Sequence, residues 1–170
     1  PDTVVTGNSC SGMPDGSIEA TGNGVGPWVY EISDISGVLE TSTPLNGPYI
    51  FTALIEGMYT ISVTDGAGCT AGVLVEVQPA LPIVIDAVIT DNQCFGGTIG
   101  EATITVAGGT APFDVEWTDA FGNILQSDPQ INGAAVLNSL SAGSYLITAD
   151  DATGCSVTSS ITVTEPLTPL

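Results

Sequence analysis

The chain contains two versions of one fourteen-residue stretch, and this internal repeat limits its fold more than any other feature. The first is GMYTISVTDGAGCT at residues 57–70, and the second is GSYLITADDATGCS at residues 143–156. Six positions are identical at a constant offset of 86 residues. They are Gly57, Tyr59, Ile61, Asp65, Gly68 and Cys69, which match Gly143, Tyr145, Ile147, Asp151, Gly154 and Cys155. Because self-similarity at a fixed period marks a structural unit used more than once, we interpret the chain as two copies of one unit.

The repeat extends beyond this stretch in both directions. CSGMPDGSI at 10–18 corresponds to CFGGTIGEA at 94–102, and GPWVYEI at 26–32 corresponds to APFDVEW at 111–117. The offset rises from 84 at the first cysteine of each copy to 86 at the second, so the loops differ by two residues. Each copy therefore has about 85 residues, which is the size of a small domain.

The segments that end the two copies also match. QPALPI at 78–83 is echoed by EPLTPL at 165–170. We therefore predict one domain at residues 1–80 and a second at 81–170. Because the second proline pattern falls at the chain terminus, we expect the sequence to be a fragment of a longer tandem array, in which neighbouring repeats are the first partners of each unit.

The local periodicity of each copy predicts strands. Apolar and polar residues alternate in PWVYEI and PFDVEW, as expected for strands with one buried face. This alternation assigns four aromatic residues to the core: Trp28, Tyr30, Phe113 and Trp117. β-branched residues are abundant, turn clusters separate the runs, and no helical period is found. About seven short strands per copy predict an all-β fold, with two tandem immunoglobulin-like β-sandwich domains.

The charge composition excludes several functions. The chain has 19 acidic residues and no lysine, arginine or histidine, which gives a formal net charge of −19 at pH 7. Nucleic acids and anionic membrane surfaces are bound through Lys and Arg, so neither is an expected partner. Nucleophilic triads need a base such as His or Lys, so we do not expect an enzyme. No apolar stretch has the length of a membrane span, so direct membrane insertion is not expected either.

Four cysteines occupy matching places, two in each copy. An even number of cysteines in small secreted domains indicates disulfides. We therefore predict the pairs Cys10–Cys69 and Cys94–Cys155, each closing a loop of about 60 residues. In the chain-entropy model such a loop adds roughly 3–4 kcal/mol of stability. A zinc site is a poor alternative, because each copy has two thiols and no histidine.

The assembled pattern resembles a known family. Its parts are Cys-x-Gly, Pro-aromatic-x-apolar-Glu-apolar, Leu-x-x-Gly-x-Tyr-x-Ile and Asp-x-x-Gly-Cys, at fixed distances in both copies. The pattern is similar to the SprB-repeat family, found in tandem in very large cell-surface adhesins of gliding bacteria. The resemblance implies an extracellular, surface-attached protein. It also implies a role as a stalk segment or adhesive filament in attachment or gliding motility.

The acidic residues near the cysteines raise the hypothesis of a calcium site. Calcium binds several carboxylate and carbonyl oxygens together. Asp15 and Asp65 flank the cysteines of the first copy, and the second copy offers Asp150 and Asp151. The competing interpretation is that the aspartate of Asp-x-x-Gly accepts hydrogen bonds from its own turn. We favour turn capping and keep calcium as the hypothesis for a cofactor.

Two further functions remain as alternatives to a structural module. The chain could be an extracellular carbohydrate-binding module, for which Phe95 and Phe121 are the candidate aromatic residues because they fall in predicted loops. It could also be an accessory domain of a secreted enzyme. Surface polysaccharide and other copies of the chain are accordingly candidate partners.

Overall fold

A computed structural model describes residues 1–168, which form strands and turns and no helix. The chain divides into two compact units, Pro1–Ala80 and the residues from Leu81 onward. Each unit has seven strands among the described residues, arranged in two antiparallel sheets. The prediction of an all-β chain built from two sandwiches is confirmed.

The strands of the first unit form a sheet of order β1-β2-β5 and a sheet of order β4-β3-β6-β7. Their bounds are β1 Asp2–Thr6, β2 Gly16–Thr21, β3 Val29–Asp34, β4 Gly37–Thr41, β5 Tyr49–Leu54, β6 Gly57–Thr64 and β7 Thr70–Val77.

The second unit repeats this topology, with one sheet of order β8-β9-β12 and one of order β11-β10-β13-β14. Their bounds are β8 Val84–Thr90, β9 Gly100–Ala107, β10 Phe113–Asp119, β11 Ile124–Ile131, β12 Ala134–Leu140, β13 Gly143–Asp151 and β14 Ser156–Val163.

Each core consists of the inward-facing residues of both sheets. Tyr30 and Phe51 are fully buried in the first unit, and Trp117 is fully buried in the second. The core positions predicted for Tyr30, Phe113 and Trp117 are confirmed. Trp28 is half-buried and packs against the edge of the core. Burial of one such large side chain contributes about 1.5–3 kcal/mol relative to leaving it exposed.

The repeated Leu-x-x-Gly-x-Tyr motif forms the corner before the sixth strand of each unit. The Tyr59 hydroxyl donates a hydrogen bond to the Ile55 carbonyl oxygen at 3.0 Å, and the Tyr145 hydroxyl donates to the Ser141 carbonyl oxygen at 2.9 Å. A tyrosine that hydrogen-bonds to backbone a few residues upstream is a hallmark of immunoglobulin-like sandwiches. Burial raises the pKa of Tyr59, and the charge of Asp34 adds to that effect.

Each unit has two distinct ends, which we name by the segment that forms them. The hairpin end of the first unit holds the β6–β7 turn, where the Gly66 amide donates to the Val25 carbonyl at 3.3 Å. The loop end holds the β1–β2 loop, where the Asn8 amide donates to the Gln78 carbonyl at 3.3 Å. Strand β1 starts at the hairpin end, since Asp2 pairs with Thr21, and the chain leaves the unit at the loop end.

The second unit has the same polarity. The Gly109 amide donates to the Leu81 carbonyl at 3.0 Å, so the chain enters at the end that also holds the β13–β14 turn. The Asn92 amide donates to the Thr164 carbonyl at 2.9 Å, so the chain leaves at the end that holds the β8–β9 loop. In both units the chain therefore runs from the hairpin end to the loop end.

Candidate functional site

The hairpin end of each unit is built by the Asp-x-x-Gly-Cys motif. In the first unit the Asp65 carboxylate accepts hydrogen bonds from the amides of Ala67 and Cys69, both at 2.9 Å. Gly68 adopts a φ of 85°, a left-handed conformation that glycine allows without steric cost. The motif therefore holds its cysteine in a closed turn, as the turn-capping interpretation predicts.

Asp151 makes the same turn in the second unit and ties it to a neighbouring loop. One carboxylate oxygen accepts from the Cys155 amide at 3.0 Å and from the amide and hydroxyl of Thr153 at 2.8 and 2.7 Å. The other oxygen accepts from the Thr110 amide at 2.9 Å. Burial opposes ionisation of this carboxyl, but the hydrogen bonds outweigh it and lower its pKa to about 2.

The loop end of each unit is held by a buried asparagine. The Asn92 side chain donates to the Leu140 carbonyl at 2.9 Å and accepts from the amides of Ile99 and Gly100 at 2.7 and 3.0 Å. The Asn8 side chain donates to the Leu54 carbonyl at 2.9 Å. These residues were missed by sequence reasoning, although Asn-x-Cys occurs in both copies at the same offset as the cysteines.

Carboxylates complete the loop ends. In the first unit the Asp15 carboxylate accepts hydrogen bonds from the Ser9 hydroxyl and, at 3.0 Å, from the Ser9 backbone amide. These hydrogen bonds lower the pKa of Asp15. In the second unit Glu165 accepts from the Gly96 amide at 2.6 Å. The loops that hold Cys10 and Cys94 are thus pinned by side chains of their own unit.

Both predicted disulfides are wrong. Cys69 and Cys94 are exposed free thiols, so neither Cys10–Cys69 nor Cys94–Cys155 is formed in the structure.

The physical reason is that each unit places its two cysteines at opposite ends. Cys10 belongs to the loop end, where Gly16 lies against Val77, and Cys69 belongs to the hairpin end. Strand β7 runs from Thr70 to Val77 between these ends. At about 3.3 Å per residue the two ends are roughly 25 Å apart, whereas a disulfide needs Cα atoms within about 7 Å.

The predicted calcium ligands are not brought together. Asp15 lies at the loop end and Asp65 at the hairpin end of the first unit, so they cannot share an ion. In the second unit Asp151 is buried and bonded to its turn, while its neighbour Asp150 is exposed on the strand. Among residues 1–168, no group of three or more acidic or cysteine side chains is arranged to hold a metal ion.

The two loop phenylalanines are solvent-exposed, Phe95 by 53% and Phe121 by 91%. Both lie at the loop end of the second unit. Phe95 follows Cys94 in the β8–β9 loop. Phe121 occupies the β10–β11 turn after Asp119, and Asp119 pairs with Tyr145 close to the start of β13, which lies at the loop end. Sequence reasoning therefore placed both residues correctly in loops.

Comparison with known proteins supports the family resemblance. The SprB repeat family matches residues 87–120, within the second unit, which confirms the resemblance inferred from the motifs. No curated protein matches the chain significantly. The described residues contain no helix that could span a membrane.

Several solved structures are similar to this chain at low sequence identity. The three N-terminal domains of the bacteriophage RB49 outer capsid protein Hoc are 13% identical with a TM-score of 0.54, over 96% of this chain and 58% of that one. The amphioxus IgVJ-C2 molecule is 15% identical with a TM-score of 0.38, over 89% of this chain and 97% of that one. The fibronectin(III)-like modules of Clostridium thermocellum CbhA are 14% identical with a TM-score of 0.37, over 96% and 95% of the chains.

Proposed function

We propose that the chain is a spacer segment of a bacterial cell-surface adhesin, and that it transmits force along the chain during attachment or gliding motility. The SprB repeat match at residues 87–120 supports the class of protein. The observation that carries the mechanical role is the path of the chain, which enters every unit at the hairpin end and leaves it at the loop end. On this proposal the protein is extracellular and needs no catalytic group.

This path loads each unit in shear. The first and last strands of a unit run in the same direction, and each is paired antiparallel with an inner strand. Strand β1 is paired with β2 over five residues, and β7 is paired with β6 over eight. A force on the two chain ends therefore acts along the ladders, whose hydrogen bonds lie perpendicular to the strands. All bonds of a ladder share the load, so it cannot open one bond at a time.

The second unit has longer terminal ladders. Strand β8 is paired with β9 over seven residues, and β14 is paired with β13 over eight. Its first strand therefore has two more paired positions than that of the first unit. Under a slowly rising force we expect the first unit to unfold before the second.

Single-molecule force spectroscopy under reducing conditions tests the proposal. Pulling from the two chain termini should give two separate unfolding events, each releasing roughly 250 Å of chain at about 3.3–3.6 Å per residue. The control attaches the pulling handles at Pro1 and Asn23, which are neighbours at the hairpin end. This geometry peels β1 from β2 bond by bond, so we expect a much lower opening force.

The proposal fails if the chain extends smoothly from its termini without force peaks. It also fails if the peeling geometry resists as strongly as the end-to-end geometry.

A second candidate function is carbohydrate binding, which the exposure of Phe121 favours. Sugars stack on exposed aromatic rings, and Phe121 is 91% exposed on its turn. A glycan array with wild-type protein and Phe121→Ala tests this function. Ile35→Ala is the matched control, since Ile35 is fully exposed on the corresponding turn of the first unit. Binding that disappears only with Phe121→Ala would support this candidate, and no binding by the wild type would exclude it.

A further inference from the structure

The buried asparagine of the first unit leaves one atom of its side chain without a partner. Asn8 is only 8% exposed, and its Oδ1 atom is buried and accepts no hydrogen bond. The nitrogen of the same amide is crowded instead. Asn8 Nδ2 donates to the Met13 carbonyl oxygen, to the Leu54 carbonyl oxygen at 2.9 Å and to Asp15 Oδ1 at 3.4 Å. Because an amide nitrogen has two hydrogens, it cannot give each of three acceptors a hydrogen bond of its own.

The matching asparagine of the second unit holds its amide in the opposite orientation. Asn92 Nδ2 donates to the Leu140 carbonyl at 2.9 Å, and Asn92 Oδ1 accepts from two backbone amides. Asn92 Nδ2 lies 3.2 Å from the place that a Cβ on Gly100 would take. In the first unit it is the oxygen, Asn8 Oδ1, that lies 3.3 Å from the corresponding place on Gly16. The oxygen and the nitrogen of the two amides are therefore exchanged.

Turning the Asn8 amide to match Asn92 brings oxygens together. Nδ2 then takes the place from which Asn92 donates to a strand carbonyl, while Oδ1 comes to lie beside the Met13 carbonyl oxygen and the Asp15 carboxylate. Oxygens that converge in this way repel each other unless a cation lies between them. Carboxylate, side-chain amide and backbone carbonyl oxygens are the ligands that calcium takes in proteins.

We propose that the β1–β2 loop of the first unit binds a calcium ion through Asn8 Oδ1, the Met13 carbonyl oxygen and the Asp15 carboxylate. Water molecules supply the other ligands, since calcium takes about six to eight oxygens. Calcium suits this loop better than magnesium, which demands near-ideal octahedral geometry and keeps most of its water. The site adds a ligand to the unit and is independent of the proposed spacer function.

The loop holds these oxygens in place and leaves them open to solvent on one side. Met13 and Asp15 are exposed, whereas Asn8 is the buried base of the loop. The Ser9 hydroxyl and amide both donate to the Asp15 carboxylate, and the Met13 amide donates to the Cys10 carbonyl at 3.1 Å. Because these hydrogen bonds exist before the ion arrives, binding requires little additional ordering.

The second unit provides an internal control. Gly97 takes the place of Met13 there, and Ile99 takes the place of Asp15, so the carboxylate is missing. The Oδ1 atom of Asn92 is also already occupied by two amide donors. We therefore expect the first unit to bind calcium and the second unit not to bind it.

An NMR titration of the isotope-labelled full chain with calcium chloride tests the site. Sodium chloride at about 0.15 M screens loose attraction of the ion to the acidic surface. We expect saturable shifts at the backbone amides of residues 8–16 and at the side-chain amide of Asn8, with a Kd of about 0.1–1 mM. The corresponding residues 92–100 should not shift. Asp15→Asn should weaken binding about tenfold or more, because ligand charge sets calcium affinity. Asp65→Asn, which removes the same charge at the hairpin end, should bind like the wild type.

Three results would overturn the inference. The first is the absence of saturable shifts in the wild-type loop, and the second is a set of shifts spread over the acidic residues of both units. Because both concern the wild type, they test the site without relying on any variant. The third is calcium binding by folded Asp15→Asn that is as tight as that of the wild type. None of these results affects the spacer function, since the unfolding forces are measured without added calcium.

Discussion

Replacement of Asp151 by asparagine should destabilise the second unit in a manner that depends on pH. The Asp151 carboxylate accepts four hydrogen bonds, from the amides of Thr110, Thr153 and Cys155 and from the Thr153 hydroxyl. It thereby connects the β13–β14 turn with the loop before β10. Asparagine keeps the size of the side chain but removes the charge, so it imitates the protonated acid.

The magnitude follows from the pKa of Asp151, which falls from 3.8 to about 2 in the folded protein. At 1.36 kcal/mol per pKa unit, the folded state gains about 2 kcal/mol from the ionised carboxyl. Because the folded pKa is depressed, this stability is fully present above the unfolded value of 3.8. It is lost as the pH falls from about 4 to about 2. Asp151→Asn should therefore cost about 2 kcal/mol at pH 7 and almost nothing at pH 2.

Urea unfolding followed by tryptophan fluorescence measures this difference. Trp117 is fully buried in the second unit, and a Trp28→Phe background removes the signal of the first unit. Trp28 suits this replacement, because its ring nitrogen is buried without a hydrogen-bond partner in the structure. The matched control is Asp150→Asn, an exposed neighbour whose replacement should change the free energy of unfolding by less than about 0.5 kcal/mol.

Two outcomes would refute this reasoning. One is a cost of Asp151→Asn that stays constant between pH 7 and pH 2. The other is an equal cost for Asp150→Asn, which would assign the effect to net charge and not to the hydrogen bonds of the turn.

Four further substitutions test other parts of the fold by the same urea assay. Tyr145→Phe removes the hydrogen bond to the Ser141 carbonyl and should lower the free energy of unfolding by about 1 kcal/mol. An unchanged free energy of unfolding would show that this hydrogen bond does not stabilise the corner. Gly108→Ala should cost more than about 3 kcal/mol, because a Cβ there would lie 1.9 Å from the Pro82 carbonyl oxygen. Gly122 has a similar positive φ, but an added Cβ there would meet open space. Gly122→Ala should therefore lower the free energy of unfolding by only about 1–2 kcal/mol. Asp128→Ala leaves the Trp117 ring nitrogen without its acceptor at 3.0 Å and should cost about 1–3 kcal/mol, with a shift in the Trp117 emission maximum.

The sequence predicted those features that depend on local periodicity. The alternation in PFDVEW placed Phe113 and Trp117 in the core, because side chains of a strand alternate between its two faces. The gap-free match of the two copies indicated one topology used twice. The turn role of Asp65 was also predictable, since the aspartate and the amides it accepts from lie within five residues.

The pairing of the cysteines could not be predicted from their spacing alone, because it depends on how often the chain crosses the unit between them. Between Cys10 and Cys69 the chain passes through β2, β3, β4, β5 and β6, and between Cys94 and Cys155 through β9 to β13. An odd number of antiparallel crossings leads to the opposite end. A strand count would therefore have excluded both pairs, whereas the even number of cysteines and their matching positions favoured them.

The buried asparagines were missed for a different reason. Asn8 and Asn92 lie in polar loop sequence, where an amide side chain is expected to be exposed. Each is buried because it satisfies backbone groups of β5 or β12 far along the chain, Leu54 in one unit and Leu140 in the other. Such long-range capping leaves no local pattern beyond the repeated Asn-x-Cys.

The opposite placement of the two cysteines in each unit is tested most directly by mapping the disulfides of natively oxidised protein. Cleavage at Asp and Glu followed by mass spectrometry identifies every linked peptide pair. We predict that no peptide links Cys10 to Cys69 and that none links Cys94 to Cys155. Either of these pairs at high yield would contradict the strand topology that places the two cysteines of a unit at opposite ends.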